Sequence, residues 1–95
     1  MDSIQVEFVG MLIEKIGVCK SSVMIDDSIT VRSLIQRLMT DFNVENDILR
    51  DWDTGSLEQR VLILINGKEI SVLEGAETRL VDGDLVSIIP ISHGG

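Results

Sequence analysis

Ninety-five residues set the scale at one small domain, and a 44% apolar content is enough for one modest core rather than a disordered chain. Sixteen acidic residues against eight basic ones leave a net charge of −8. That balance disfavours nucleic acid, where lysine and arginine must neutralise phosphates, and it disfavours an anionic membrane surface.

The N-terminus, Met1-Asp2-Ser3-Ile4, shows no basic stretch followed by a hydrophobic block, and no apolar run approaches the ~20 residues needed to span a bilayer. These features predict a cytoplasmic protein without a membrane partner. Over Ile4-Gln5-Val6-Glu7-Phe8 the even positions are apolar, which predicts a half-buried strand. Gly10 and Gly17 bracket a short connection. A period of two resumes over 19–25, with Cys19, Ser21, Val23 and Ile25 on one face, so an antiparallel hairpin is expected. Cys19 is the single cysteine, which excludes four-cysteine zinc and iron–sulfur sites. Its parity points to a small buried side chain rather than a sulfur relay.

Thr30 is placed to cap a helix, and the spacing then changes. Val31, Leu34, Ile35, Leu38, Met39 and Phe42 form one stripe of a helix that must lie across a sheet. Residues 43–60 carry the weakest signal, with a short helical turn expected over 47–52. Trp52 could anchor a partner or cover the core edge. Asp41, Glu45, Asp47, Asp51, Asp53 and Glu58 lack the spacing and central glycine of a calcium loop, so they are expected to form a solvated acidic surface.

Val61-Leu62-Ile63-Leu64-Ile65 is a continuous β-prone run, and Asn66-Gly67 supplies the residues that most readily take positive φ in a tight hairpin. Lys68-Glu69-Ile70 begins the return strand. Asp82-Gly83-Asp84 is a further turn, and Leu85–Ile89 the last strand, ended by Pro90, which has no ladder donor. The predicted order is β-β-α-β-β-β, with a helix covering only one face. Both 61–65 and 85–91 are nonetheless apolar at both parities, so the surplus face is expected to be partly exposed as a docking surface built from Ile63, Leu64, Ile65, Ile88 and Ile89. The alternative is that residues 43–60 fold over it.

The chain ends Ser92-His93-Gly94-Gly95, directly after a terminal strand and a proline. Four extended residues reach at most ~14 Å from the body. Without β-carbons, Gly94 and Gly95 fit a channel only as wide as a backbone. The reactive group is then the α-carboxylate of Gly95. A carboxylate is a poor electrophile, but joined to AMP it acquires a good leaving group. A sulfur nucleophile then gives a thiocarboxylate or thioester, and a lysine amine gives an isopeptide bond. His93 is expected to be an exposed imidazole beside the tail rather than a proton carrier.

The di-glycine end, the Leu80–Pro90 stretch with its Asp82-Gly83-Asp84, and Val61 to Gly67 together resemble the β-grasp, ubiquitin-like sulfur carriers. That superfamily includes the molybdopterin-synthase small subunit, the thiamine sulfur carrier and the ubiquitin-related modifier. Ile65-Asn66, His93-Gly94-Gly95 and the overall length are most similar to the modifier branch, whereas Pro90 is more like the molybdopterin-synthase subunit. The resemblance implies an α+β fold, a mixed sheet of four to five strands with one main helix on one face. Residues 1–90 would form the domain and 91–95 a flexible tail. It further implies a carrier rather than an enzyme, with no bound cofactor or metal. An E1-like enzyme would adenylate Gly95 at the expense of ATP, and a persulfide donor would convert it to a thiocarboxylate. The sulfur would pass to a tRNA-thiolating enzyme or to the large subunit of molybdopterin synthase, and Gly95 could also be joined to protein lysines. Gly94 and Gly95 carry the chemistry, while Pro90, Ser92 and His93 present the tail. Three readings stay open: a carrier or modifier, the small subunit of a molybdopterin synthase, and a plain β-grasp interaction module with an inert tail.

Overall fold

The computed structural model describes residues 2–42 and 61–90. Its elements are β1 (Asp2–Phe8), α1 (Met11–Ile16), β2 (Lys20–Ile25), β3 (Ile29–Thr30), α2 (Val31–Asp41), β4 (Val61–Ile65), β5 (Lys68–Glu69), β6 (Arg79–Leu80) and β7 (Leu85–Pro90). Two single 3₁₀ turns, Ile70–Val72 and Gly75–Glu77, lie between β5 and β6. The main sheet has the order β2-β1-β7-β4-β5. The neighbours β1 and β7 run parallel, and every other pair in this sheet is antiparallel. β3 and β6 form a separate two-stranded ribbon. The result is the expected α+β arrangement, a mixed five-stranded sheet with one main helix on one face.

Alternation along each strand decides the two faces. Ile4, Val6 and Phe8 of β1, Val23 and Ile25 of β2, Ile63 and Ile65 of β4, and Val86 and Ile88 of β7 all point toward α2 and are buried. The predicted helical stripe meets them. Val31, Leu34, Ile35 and Leu38 are buried, and Met39 and Phe42 pack at the margin. Phe42 stands edge-on to Phe8, with ring centroids 5.9 Å apart and planes at 84°. Thr30 caps α2 as predicted: its Oγ1 accepts from the Ser33 N–H at 3.2 Å.

The structure departs from the sequence reading in several places, the unpredicted β3–β6 ribbon among them. The connection between Gly10 and Gly17 contains a helix, α1, anchored by Leu12 and Ile16, which are buried one turn apart. Gly17 closes it in the left-handed region (φ 98°), its N–H donating to the Ile13 carbonyl. The return strand after Asn66-Gly67 is only two residues long. Cys19 precedes β2 and is exposed, not buried, because the strand begins at Lys20 and only Val23 and Ile25 reach the core. The expected helical turn at 47–52, Trp52, and the carboxylates Glu45, Asp47, Asp51, Asp53 and Glu58 lie outside the described residues; Asp41 stands 3.9 Å from Arg37 on α2.

The tight turns form as the sequence indicates. Asn66 (φ 51°) and Gly67 (φ 88°) both take positive φ, as a two-residue hairpin of primed type requires. Gly83 (φ 89°) does the same in the turn before β7. That turn is tied to the start of β1: Asp82 Oδ1 accepts from the Ser3 N–H at 2.8 Å, and the Gly83 N–H donates to the Ser3 carbonyl at 3.0 Å.

Candidate functional site

The site is built around the point where β7 ends. Pro90 is the last residue of the strand and lies opposite Val61 of β4. Lacking an N–H, it donates no hydrogen bond to the ladder. On its other side it meets the corner after β1. Gly10, at φ +64°, lies beside the proline, where an added β-carbon would meet Pro90 Cγ at 3.5 Å, an ordinary van der Waals contact. The Val9 N–H donates to the Ile88 carbonyl at 3.1 Å and fastens the end of β1 to β7 at this corner. Ser92, His93, Gly94 and Gly95 lie outside the described residues.

The outer sheet face, opposite α2, leads up to this exit in register. Ile89 pairs with Leu62, and Ser87 pairs with Leu64. Glu7 lies opposite Lys20 on one side and Ser87 on the other. The row nearest the exit is therefore apolar, and the row behind it is polar toward β2. In that second row Ser87 Oγ donates to Glu7 Oε2 at 3.2 Å, and Ser87 is nearly buried. One row further, Ser22 Oγ donates to Gln5 Oε1 at 2.9 Å. Leu62, Leu64 and Ile89 are half-buried.

This assignment corrects the expected docking face. Ile63 (1% exposed), Ile65 (6%) and Ile88 (0%) are core residues under α2, because Ile63 and Ile88 are directly paired and share the helix-facing side. Leu64 and Ile89 occupy the outer face. Leu62 belongs with them and was missed because both parities of β4 are apolar. The pairing partner, not the run itself, tells the faces apart.

Among the described residues, no three His, Cys, Asp or Glu side chains gather as a metal site. No helix among them is long and apolar enough to cross a membrane. What the arrangement offers is the end of a strand paired on both edges, with an apolar surface beside it.

Comparison with known proteins places these features in a family. The ThiS family matches residues 6–95. Small archaeal modifier protein 3 of Haloferax volcanii is 33% identical over 72 residues, 75% of this chain and 75% of that protein. A candidate sulfur carrier protein of Archaeoglobus fulgidus is 37% identical over 71 residues, 73% of this chain and 77% of that protein. The solution structure of Urm1 from Trypanosoma brucei superposes with a TM-score of 0.76 at 28% identity, covering 99% of this chain and 96% of that one. The fold is accordingly the ubiquitin-like β-grasp.

Proposed function

The chain belongs to the ThiS family, and on that premise we propose that it is a sulfur carrier or protein modifier acting through the carboxylate of Gly95. The observation that carries the proposal is the exit geometry. β7 stops at Pro90 beside an apolar sheet face, and the sequence that follows is Ile91-Ser92-His93-Gly94-Gly95. On this reading residues 1–90 are the body of the carrier and 91–95 its working tail.

The chemistry needs no catalytic side chain from this protein. An E1-like partner joins Gly95 to AMP, with ATP losing pyrophosphate. The terminal sulfur of a persulfide then attacks the acyl carbon and AMP leaves. A second thiol then attacks the donor's inner sulfur of the resulting acyl disulfide, breaking the S–S bond that came from the persulfide; it ends in a disulfide with the donor, and the Gly95 thiocarboxylate leaves. That sulfur passes to an acceptor enzyme acting on a tRNA base, or an amine from a target lysine takes the activated acyl group. This protein contributes positioning: a tail thin enough for a narrow channel and a body that orients it.

Incubation of the full chain with its E1-like enzyme, ATP and a persulfide source tests the proposal by intact mass. A single oxygen-to-sulfur exchange at the C-terminus is expected, and its absence with an active partner would overturn the reading. A second reading, the small sulfur-carrier subunit of a molybdopterin synthase, is favoured by Pro90 standing directly before the tail. Stable co-purification with a large catalytic subunit, together with no lysine conjugates in cells, distinguishes it.

A further inference from the structure

The two edges of the main sheet differ. At one, β5 is two residues long and passes at once into a 3₁₀ turn. At the other, β2 runs for six residues, Lys20–Ile25, in unbroken register with β1 and without a proline or a bulge. Short strands, prolines and bulges are the usual means of keeping a sheet edge from pairing with another chain, and β2 has none of them.

The hydrogen-bond alternation shows what this edge presents. The Phe8 N–H donates to the Cys19 carbonyl at 2.9 Å, so Phe8 and Cys19 form a bonded pair. Bonded pairs recur at every second residue of an antiparallel ladder. Val6–Ser21, Ile4–Val23 and Asp2–Ile25 are then the others. Lys20, Ser22 and Met24 direct their N–H and C=O groups away from β1, and no described residue bonds to them. Their side chains stand on the outer sheet face, opposite the buried Val23 and Ile25, and Met24 leaves 45% of its surface in solvent.

The charges at the two ends of β2 identify the occupant. Two copies of the strand, laid antiparallel about a two-fold axis at Val23, bring Ser22 opposite Met24 of the second copy and Lys20 opposite its Asp26, each contact being made twice. Asp26 is the first residue after β2; its carbonyl already accepts from the Ser28 N–H at 2.9 Å, so it contributes its charge. Lys20 and Asp26 are exposed, and neither forms an ion pair among the described residues. Sliding one strand by two residues in either direction loses both cross-strand pairs. The edge is therefore complementary to itself in one register. A net charge of −8 on each copy opposes association, so the contact is weak and depends on concentration.

We infer that β2 is the contact between two copies of this chain, which join edge to edge with reciprocal Lys20–Asp26 ion pairs. Two five-stranded sheets become one of ten strands, with both outer faces on the same side. The inference goes beyond the carrier reading and does not rest on it. Pro90 lies on β7, with β1 between it and the contact, and the two-fold places the two copies' Pro90 residues at opposite ends of the joined sheet.

The test is sedimentation velocity on the full chain from about 10 µM to about 1 mM, the range suited to a small interface. The weight-average mass should rise from that of one chain toward that of two. Lys20→Asp and Asp26→Lys each set like charges opposite one another and should weaken self-association about tenfold or more. An equimolar mixture of the two variants restores both ion pairs, with the signs exchanged, and should associate as the wild type does. Thermal melts establish that the variants fold. If Lys20→Asp does not, because it faces Glu7 across the ladder, Asp26→Lys alone carries the test. A wild-type chain that stays single at the highest concentration overturns the inference. So does association that the folded charge variants leave unchanged, or a mixture of two folded variants that stays monomeric.

Discussion

Asn66 donates its side-chain amide to Asp84 Oδ1 at 3.0 Å, and its Oδ1 accepts from the Leu85 N–H at 2.9 Å. The other oxygen of Asp84 accepts from the Val81 N–H at 2.9 Å. Two turns far apart in sequence are thus latched at the end of the sheet opposite the tail, and the start of β7 is set by this latch. Asn66→Asp places a second carboxylate against Asp84 and should cost about 1–2 kcal/mol. Adding Asp84→Asn restores a donor between the two positions and should recover at least half of that loss. Urea denaturation of the three variants measures the cycle, and additive losses in the double variant would refute the latch.

Thr30 offers a second test on the body of the protein. Thr30→Ala removes the acceptor for the Ser33 N–H while leaving the β3 backbone pairing to β6 in place. The expected loss is about 1 kcal/mol, and Thr30→Ser should restore most of it. Equal stabilities for the alanine and serine variants would show that the cap contributes nothing.

Adjacent residues of β4 separate folding from docking. Ile63→Asp buries an unpaired charge under α2 and should unfold the domain. Leu64→Asp lies on the other face and should leave the circular dichroism spectrum native while weakening partner binding about tenfold or more. Loss of native structure in both variants would mean that the outer face is covered.

Two glycines should fail in different ways. Gly10→Ala forces a side chain onto a backbone at φ +64° and should lower stability by about 1–3 kcal/mol. Gly94→Ala should leave the melting temperature unchanged; on the carrier reading proposed above it should impair activation, since that reading has the last two residues enter a channel of backbone width. Melting curves and ATP–pyrophosphate exchange assays on the same two preparations check both statements.

The elements legible in the sequence are those whose signal is local. Thr30 followed by the Val31–Phe42 stripe defines α2, and Asn66-Gly67 defines its hairpin by backbone preference alone. α1 was hidden because it has too few turns to display a helical period, and Met11, Leu12 and Ile13 are apolar on successive positions. β3 and β6 exist only through each other, and neither Ile29-Thr30 nor Arg79-Leu80 announces a strand. The faces of β4 were illegible for a related reason: only the pairing of Ile63 with Ile88 reveals which parity is inside. Pro90 was legible as the end of the last strand, whereas the closeness of Val9 to Ile88 depends on the parallel pairing of β1 with β7, a contact between opposite ends of the chain.

That parallel pairing also decides how the molecule bears load. β7 is the middle strand, bonded to β1 on one edge and β4 on the other. Tension drawn through Pro90 runs along β7 and strains the hydrogen bonds of both ladders together, in shear, so none can open ahead of the rest. The same pull on β5, at the sheet's rim, would peel bonds singly. A load applied at Pro90 thus falls on a strand held along both of its edges.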